Sequence, residues 1–168
     1  MKRSLKITSI ILMLLLALLI LPSCFMPKSR RETVILTLGG YEREEFYSSG
    51  GIQDFTDYGK YYFAKMPKFE ENEYFVPVTS NDIEVLYGYI DNFDGWIEAY
   101  GDPSTKKEKA LVENYDLDRT IINEGDYFYI YDKMGEPIGE SQYEQYECYD
   151  VYIFDTESCT LYYFHNNI

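Results

Sequence analysis

The stretch that decides the fold is Tyr146-Glu147-Cys148-Tyr149-Asp150-Val151-Tyr152-Ile153-Phe154-Asp155, continued by Thr156-Glu157-Ser158-Cys159-Thr160-Leu161-Tyr162-Tyr163-Phe164-His165. Successive side chains of a strand point to opposite faces. Cys148, Asp150, Tyr152 and Phe154 therefore share one face, and Tyr149, Val151 and Ile153 share the other. Asp155-Thr156-Glu157-Ser158 is built of turn formers, and Thr160 to His165 returns as the partner strand. Upstream, Asp126 to Asp132 reads as another strand, closed by the turn Lys133-Met134-Gly135. These three strands form an antiparallel meander.

Further upstream the period changes from strand to helix. Ile83, Tyr87, Ile90, Phe93, Ile97 and Tyr100 recur at helical spacing, Leu86 and Trp96 widen the stripe, and Glu84, Asp91 and Glu98 fall outside it. Asn81 stands as N-cap with Glu84 completing a capping box, and Gly101 is the stop. Gly95 costs about 1 kcal/mol relative to alanine, so a break there is the alternative. Asp102-Pro103 suggests a second helix reaching Glu113. Thr33 to Leu38 reads as a first strand, Lys60 to Lys65 as another, and Glu73 to Val78 as an edge interrupted by Pro77. Tyr41 to Gly59 has turn signals at Ser48–Gly51 and Asp57–Gly59 but no clear element between them. The class is α+β: an antiparallel sheet of four to six strands with one main helix, about 81–100, packed on one face.

The start of the chain carries an address. Lys2, Arg3 and Lys6 precede an apolar run from Ile10 to Leu21, which stops at Leu21-Pro22-Ser23-Cys24. A basic start, a short apolar segment and a small residue before the cut are the parts of an export signal. With a cysteine next, the segment resembles a bacterial lipoprotein lipobox, Pro22 being its one departure from that pattern. The resemblance covers residues 1–24. It implies cleavage after Ser23, lipidation of Cys24 and a protein held on the outer face of the cytoplasmic membrane. An uncleaved anchor is one alternative, although a spanning helix needs about 20 apolar residues; a secreted protein is the other. The organisation expected is a signal peptide over 1–23, a basic tether over 24–32 and one globular domain over 33–168.

Without residues 1–23 the chain keeps 12 basic residues against 29 acidic ones, a net charge of -17. Such a field repels polyanions. Nucleic acid, anionic lipid headgroups and phosphate-rich wall polymers are thereby poor candidates for broad-surface binding, while a basic protein, a neutral glycan or a divalent cation remains open. Tyrosine is the second oddity, at 19 residues. Its ring packs while its hydroxyl reaches water, which suits a sheet with one wet face; the functional alternative is an exposed aromatic platform for sugars or a protein.

Catalytic constellations are scarce. His165 is the only histidine, placed at the fraying end of its strand. Cys148 and Cys159 lie about 20 Å apart along the hairpin at ~3.3 Å per residue, too far for a disulfide. No Cys/His zinc set and no phosphate-cradling loop appears; Gly39-Gly40 and Gly50-Gly51 lack the pattern. No cofactor is expected. The carboxylate pairs worth inspecting are Asp91/Asp94 and Glu124/Asp126, with Asp116-Leu117-Asp118 as a weak calcium candidate. Two readings follow: a non-catalytic module binding a protein or glycan, such as an inhibitor or immunity protein, or a carboxylate-dependent hydrolase of wall glycan. Cys24, as lipidation site, is the one site residue the sequence nominates.

Overall fold

A computed structural model describes residues 29–51, 55–133 and 148–167. The signal segment, Cys24 and the Met134-Gly135 turn lie outside the described residues. By its contacts the chain divides after Val34, and the sheet and the helices from Ile83 onward belong to the unit Ile35–Ile168.

The first described element is helix α1, Arg30–Thr37, where the β-branched run Thr33–Leu38 predicts a strand. The cause is local capping chemistry. The Glu32 amide donates to Ser29 Oγ, and the Ser29 amide donates to Glu32 Oε2, both at 3.2 Å. This Ser-x-x-Glu box satisfies two of the amides that a helix start leaves orphaned, and it outweighs a β-propensity spanning only about 1 kcal/mol. Gly39, at φ +92°, ends the element in a conformation that suits glycine.

Six strands then form one antiparallel sheet: β1 Arg43–Ser48, β2 Phe55–Tyr62, β3 Val76–Pro77, β4 Tyr127–Asp132, β5 Cys148–Asp155 and β6 Thr160–Asn167. Their order is β1-β2-β6-β5-β4-β3. The meander β4-β5-β6 stands as expected, and Val76-Pro77 is the edge that its proline suggested. The indefinite stretch 41–59 resolves into hairpin β1-β2, with Arg43 opposite Tyr62 and Ser48 opposite Asp57. β6 lies between β2 and β5, pairing along its whole length with both. Cys148 stands opposite Asn167 and Cys159 just before Thr160, so the two cysteines occupy opposite ends of the hairpin.

Helix α2, Ile83–Ala99, runs unbroken through Gly95 and buries Leu86, Tyr89, Ile90, Phe93 and Ile97. A Cβ added at Gly95 would meet nothing within 4 Å, so that glycine lies on an open surface and forces no kink. The cap is Asp82 and not Asn81; its carboxylate turns back to accept from the Thr79 amide and hydroxyl. The second helix, α3, begins at Lys106 and not at Pro103, because Thr105 and Glu108 form a complete capping box. Both helices pack on one face of the sheet, against Tyr58, Tyr149, Val151, Ile153 and Phe164.

The opposite face is not wet. Tyr61, Tyr152, Phe154, Leu161 and Tyr163 are all buried there. The segment after β2 covers it with rings: Phe69 lies 5.1 Å from Phe154 and stacks on Tyr127 at 3.9 Å, and Phe63 meets Phe154 at 5.5 Å. The central strands are therefore covered on both faces, which corrects the expectation of a half-solvated sheet. Tyr61, Tyr152 and Tyr163 are interior packing, and edge-to-face rings help fill this second layer.

Candidate functional site

The tyrosine and carboxylate excesses turn out to be linked. Tyr58 OH donates to Asp116 Oδ1 at 2.6 Å, Tyr62 OH to Glu45 at 3.1 Å, Tyr89 OH to Asp132 at 2.9 Å and Tyr163 OH to Asp150 at 3.0 Å. Tyr115 OH donates to Asp94 as well. A buried phenol needs an acceptor, and a carboxylate makes a stronger one than a neutral oxygen.

The carboxylates singled out in the sequence, Glu124 excepted, each hold a structural partner. Asp91 forms an ion pair with Arg119, with Nε at 2.7 Å from Oδ1. Asp94 holds Tyr115; burial pushes its carboxyl up, the Tyr115 bond acts against that, and Asp91 and Glu98 add to the rise. Asp126 is 1% exposed and binds the Thr156 amide at 2.9 Å, the Thr156 hydroxyl at 2.8 Å and the Asn123 amide at 2.8 Å. Glu124 is exposed beside it. Asp118 caps the 3-10 turn Arg119–Ile121 by accepting from the Thr120 amide at 2.8 Å. Asp116 accepts from Lys60 Nζ at 2.7 Å; partial burial opposes its ionisation, but the bonds from Lys60 and Tyr58 hold it below the usual carboxylate range. Apart from Glu124, these carboxylates are thus spent on structure. Among the described residues no set of three or more His, Cys, Asp or Glu is arranged to hold a metal ion.

His165 is the residue the sequence misplaced. It is 6% exposed, on a strand paired on both sides, and not at a fraying end. Its Nδ1 lies 2.7 Å from Asp150 Oδ1, the oxygen that also receives Tyr163 OH. Asp57 holds the register position on its other side, and the Phe55 ring lies 4.8 Å away. Nε2 is buried and makes no hydrogen bond among the described residues. The Asp150 contact orients the imidazole as in many catalytic dyads. Burial, together with a hydroxyl that shares the same carboxylate oxygen, makes it a brace across β5 and β6. Only the pairing of β6 with β2 as well as β5 reveals this, and that pairing has no local sequence signal.

The exposed surface has a different character. Glu84, Asp91 and Glu98 recur every seven residues along the outer side of α2, and all three are exposed. Tyr41, at 37% exposed, is the one tyrosine in the exposed class among the described residues. An open cleft of about 390 Å³ is lined by Thr37, Lys68, Glu71, Asn72 and Glu73, with no ring to stack on a sugar. Comparison with protein-family models, curated proteins and solved structures finds no match for this chain. The class defined by the fold is an α+β domain with acidic residues along the outer side of α2.

Proposed function

We propose that the chain is a lipoprotein, anchored through Cys24 outside the cytoplasmic membrane, whose domain is a non-catalytic binding module for a basic protein. One observation carries the binding reading: among the described residues Tyr41 is the one exposed tyrosine, while carboxylates such as Glu84, Asp91 and Glu98 line the outer side of α2. Opposite charge steers encounter and accelerates association. A glycan platform would need exposed rings, and the hydrolase alternative would need two convergent carboxylates, whereas Asp91 and Asp94 serve separate partners. An inhibitor or immunity protein against a cationic hydrolase fits this chemistry.

Two measurements test it. Intact mass of the native protein from the membrane fraction, beside Cys24→Ala, is expected to show loss of residues 1–23 and an acyl-glyceryl addition absent in the variant. A full-length mass in both rejects the anchor. For binding, the native protein in lipid nanodiscs is exposed to a basic muramidase and to neutral wall-glycan fragments. Association with the muramidase is expected to slow about tenfold or more between low and high salt. Binding of the glycan fragments alone would sink the reading.

A further inference from the structure

Three exposed apolar side chains gather at one end of the sheet. Leu36, Tyr41 and Met66 are 47%, 37% and 41% exposed. They come from the end of α1, the link to β1 and the segment after β2, and contacts draw these together. Asn72 Nδ2 donates to Thr37 Oγ1 at 3.0 Å, the Tyr41 ring lies 5.1 Å from Tyr61 and 6.4 Å from Phe63, and Thr37 and Lys68 line one cleft. Lys65 and Lys68, both exposed, flank Met66. This is the end where β2 finishes at Tyr62 and β6 starts at Thr160; Cys148 and Asn167 lie at the other.

We propose that this end is apposed to the bilayer: Leu36, Tyr41 and Met66 enter the headgroup layer, with Lys65 and Lys68 at phosphate level. The proposal rests on the lipid anchor at Cys24. Chain length keeps this end within reach of the bilayer, which is the occupant proposed. Five residues, 25–29, separate Cys24 from α1. Fully extended they span about 18 Å, and a helix of eight residues adds about 12 Å. Leu36 therefore stays within about 30 Å of the lipidated sulfur, by the same dimensions. The residue types also suit an interface, where aromatic rings and lysines settle. Attraction by charge does not drive the contact, because Glu42, Glu70 and Glu71 stand exposed in the neighbouring segments. Apolar insertion does, so the contact survives salt.

The test uses the full lipidated protein in phosphatidylethanolamine–phosphatidylglycerol vesicles. Spin labels go on Met66→Cys and, as control, Lys133→Cys, each in a Cys148→Ser/Cys159→Ser background. Label depth is read from collision with oxygen and with a water-soluble nickel chelate. Expected is a membrane-inserted label at position 66 and an aqueous one at 133, unchanged in about 0.5 M salt. A label at 66 as aqueous as that at 133, on protein whose mass shows the acyl chain, overturns the proposal and leaves the anchor standing. Release by salt overturns it in favour of charge-driven adsorption, and a mass without lipid removes both. Should the cysteine variants not fold, native protein answers: tryptic cleavage after Lys65 and Lys68 is expected to slow about tenfold in vesicles relative to detergent, with cleavage after Lys133 unchanged. Equal rates at all three sites reject the apposition.

Discussion

Tyr58 and Asp116, 58 residues apart in the chain, are joined by a hydrogen bond of 2.6 Å from phenol to carboxylate. The bond ties the sheet to the segment that follows α3. Lys60, two residues along β2, reaches the same carboxyl at 2.7 Å and also Glu45 at 3.3 Å. One exposed acid thereby satisfies a fully buried phenol and a nearly buried ammonium.

Replacing Asp116 by Ala is expected to cost about 1–3 kcal/mol in urea unfolding, mostly from the Tyr58 hydroxyl left without its acceptor. The Coulomb share is small, because the Asp116 side chain is 59% exposed. Its carboxyl is depressed in the folded state, so its contribution is present above the unfolded value, near pH 4, and is lost as pH falls through the folded value. Wild type should lose stability on acidification more steeply than Asp116→Ala. Parallel pH profiles would contradict this.

At the alkaline end the sign reverses. Burial pushes the Tyr58, Tyr115 and Tyr163 hydroxyls up, and their carboxylate partners add to it. Lys60 is also raised: burial opposes its charge, but Asp116 and Glu45 outweigh that. Raised folded values mean stability that is full below the unfolded values, about 10 for both residue types, and lost above them. Tyrosinate absorbance from these rings should rise together with the loss of circular dichroism, in one cooperative step above pH about 10. Ionisation of buried tyrosines ahead of unfolding would show that the rings are accessible.

His165→Ala is expected to destabilise by about 2–4 kcal/mol, since it strips a buried carboxylate of one of its two hydrogen-bond partners. A double-mutant cycle with Asp150→Asn should return a coupling above about 1 kcal/mol. Additive effects would mean that the 2.7 Å contact does no energetic work.

Thr105→Ala removes the hydroxyl that accepts from the Glu108 amide at 3.1 Å, for a cost of about 1 kcal/mol. Amide exchange over Lys106–Asn114 should accelerate while β5 and β6 stay protected. A uniform change across the domain would show that α3 unfolds only with the rest.

Where periodicity is strong, the fold was legible. The strands around Tyr127–Asp132 and Cys148–Asp155 and the stripe Leu86-Ile90-Phe93-Ile97 all declared themselves. Short elements governed by a single cap did not: Ser29 with Glu32 overrode the β-branched residues of α1, and Thr105 with Glu108 moved the start of α3. The hairpin β1-β2 was obscured because Glu44, Glu45, Asp57 and Lys60 interrupt its apolar pattern, and the charges are resolved only in three dimensions. The role of His165 was illegible for the same reason: its partner Asp150 is a strand away, and the Phe55 ring beside it comes from β2. The acidic residues of α2, Glu84, Asp91 and Glu98, could be placed off the core from the sequence, because they fall outside its apolar stripe.

The placement of β6 has a consequence for the order of events. Phe55 pairs with Asn167 and Tyr62 with Thr160, so the middle of the sheet joins segments about a hundred residues apart. Until β6 has been made, hairpin β1-β2 and strands β4 and β5 have no common neighbour, and a growing chain can form only its local pieces. Non-local pairing of this kind is slow to close. On the export reading proposed above, that delay would keep the chain fit for passage through a secretion channel until β6 has followed.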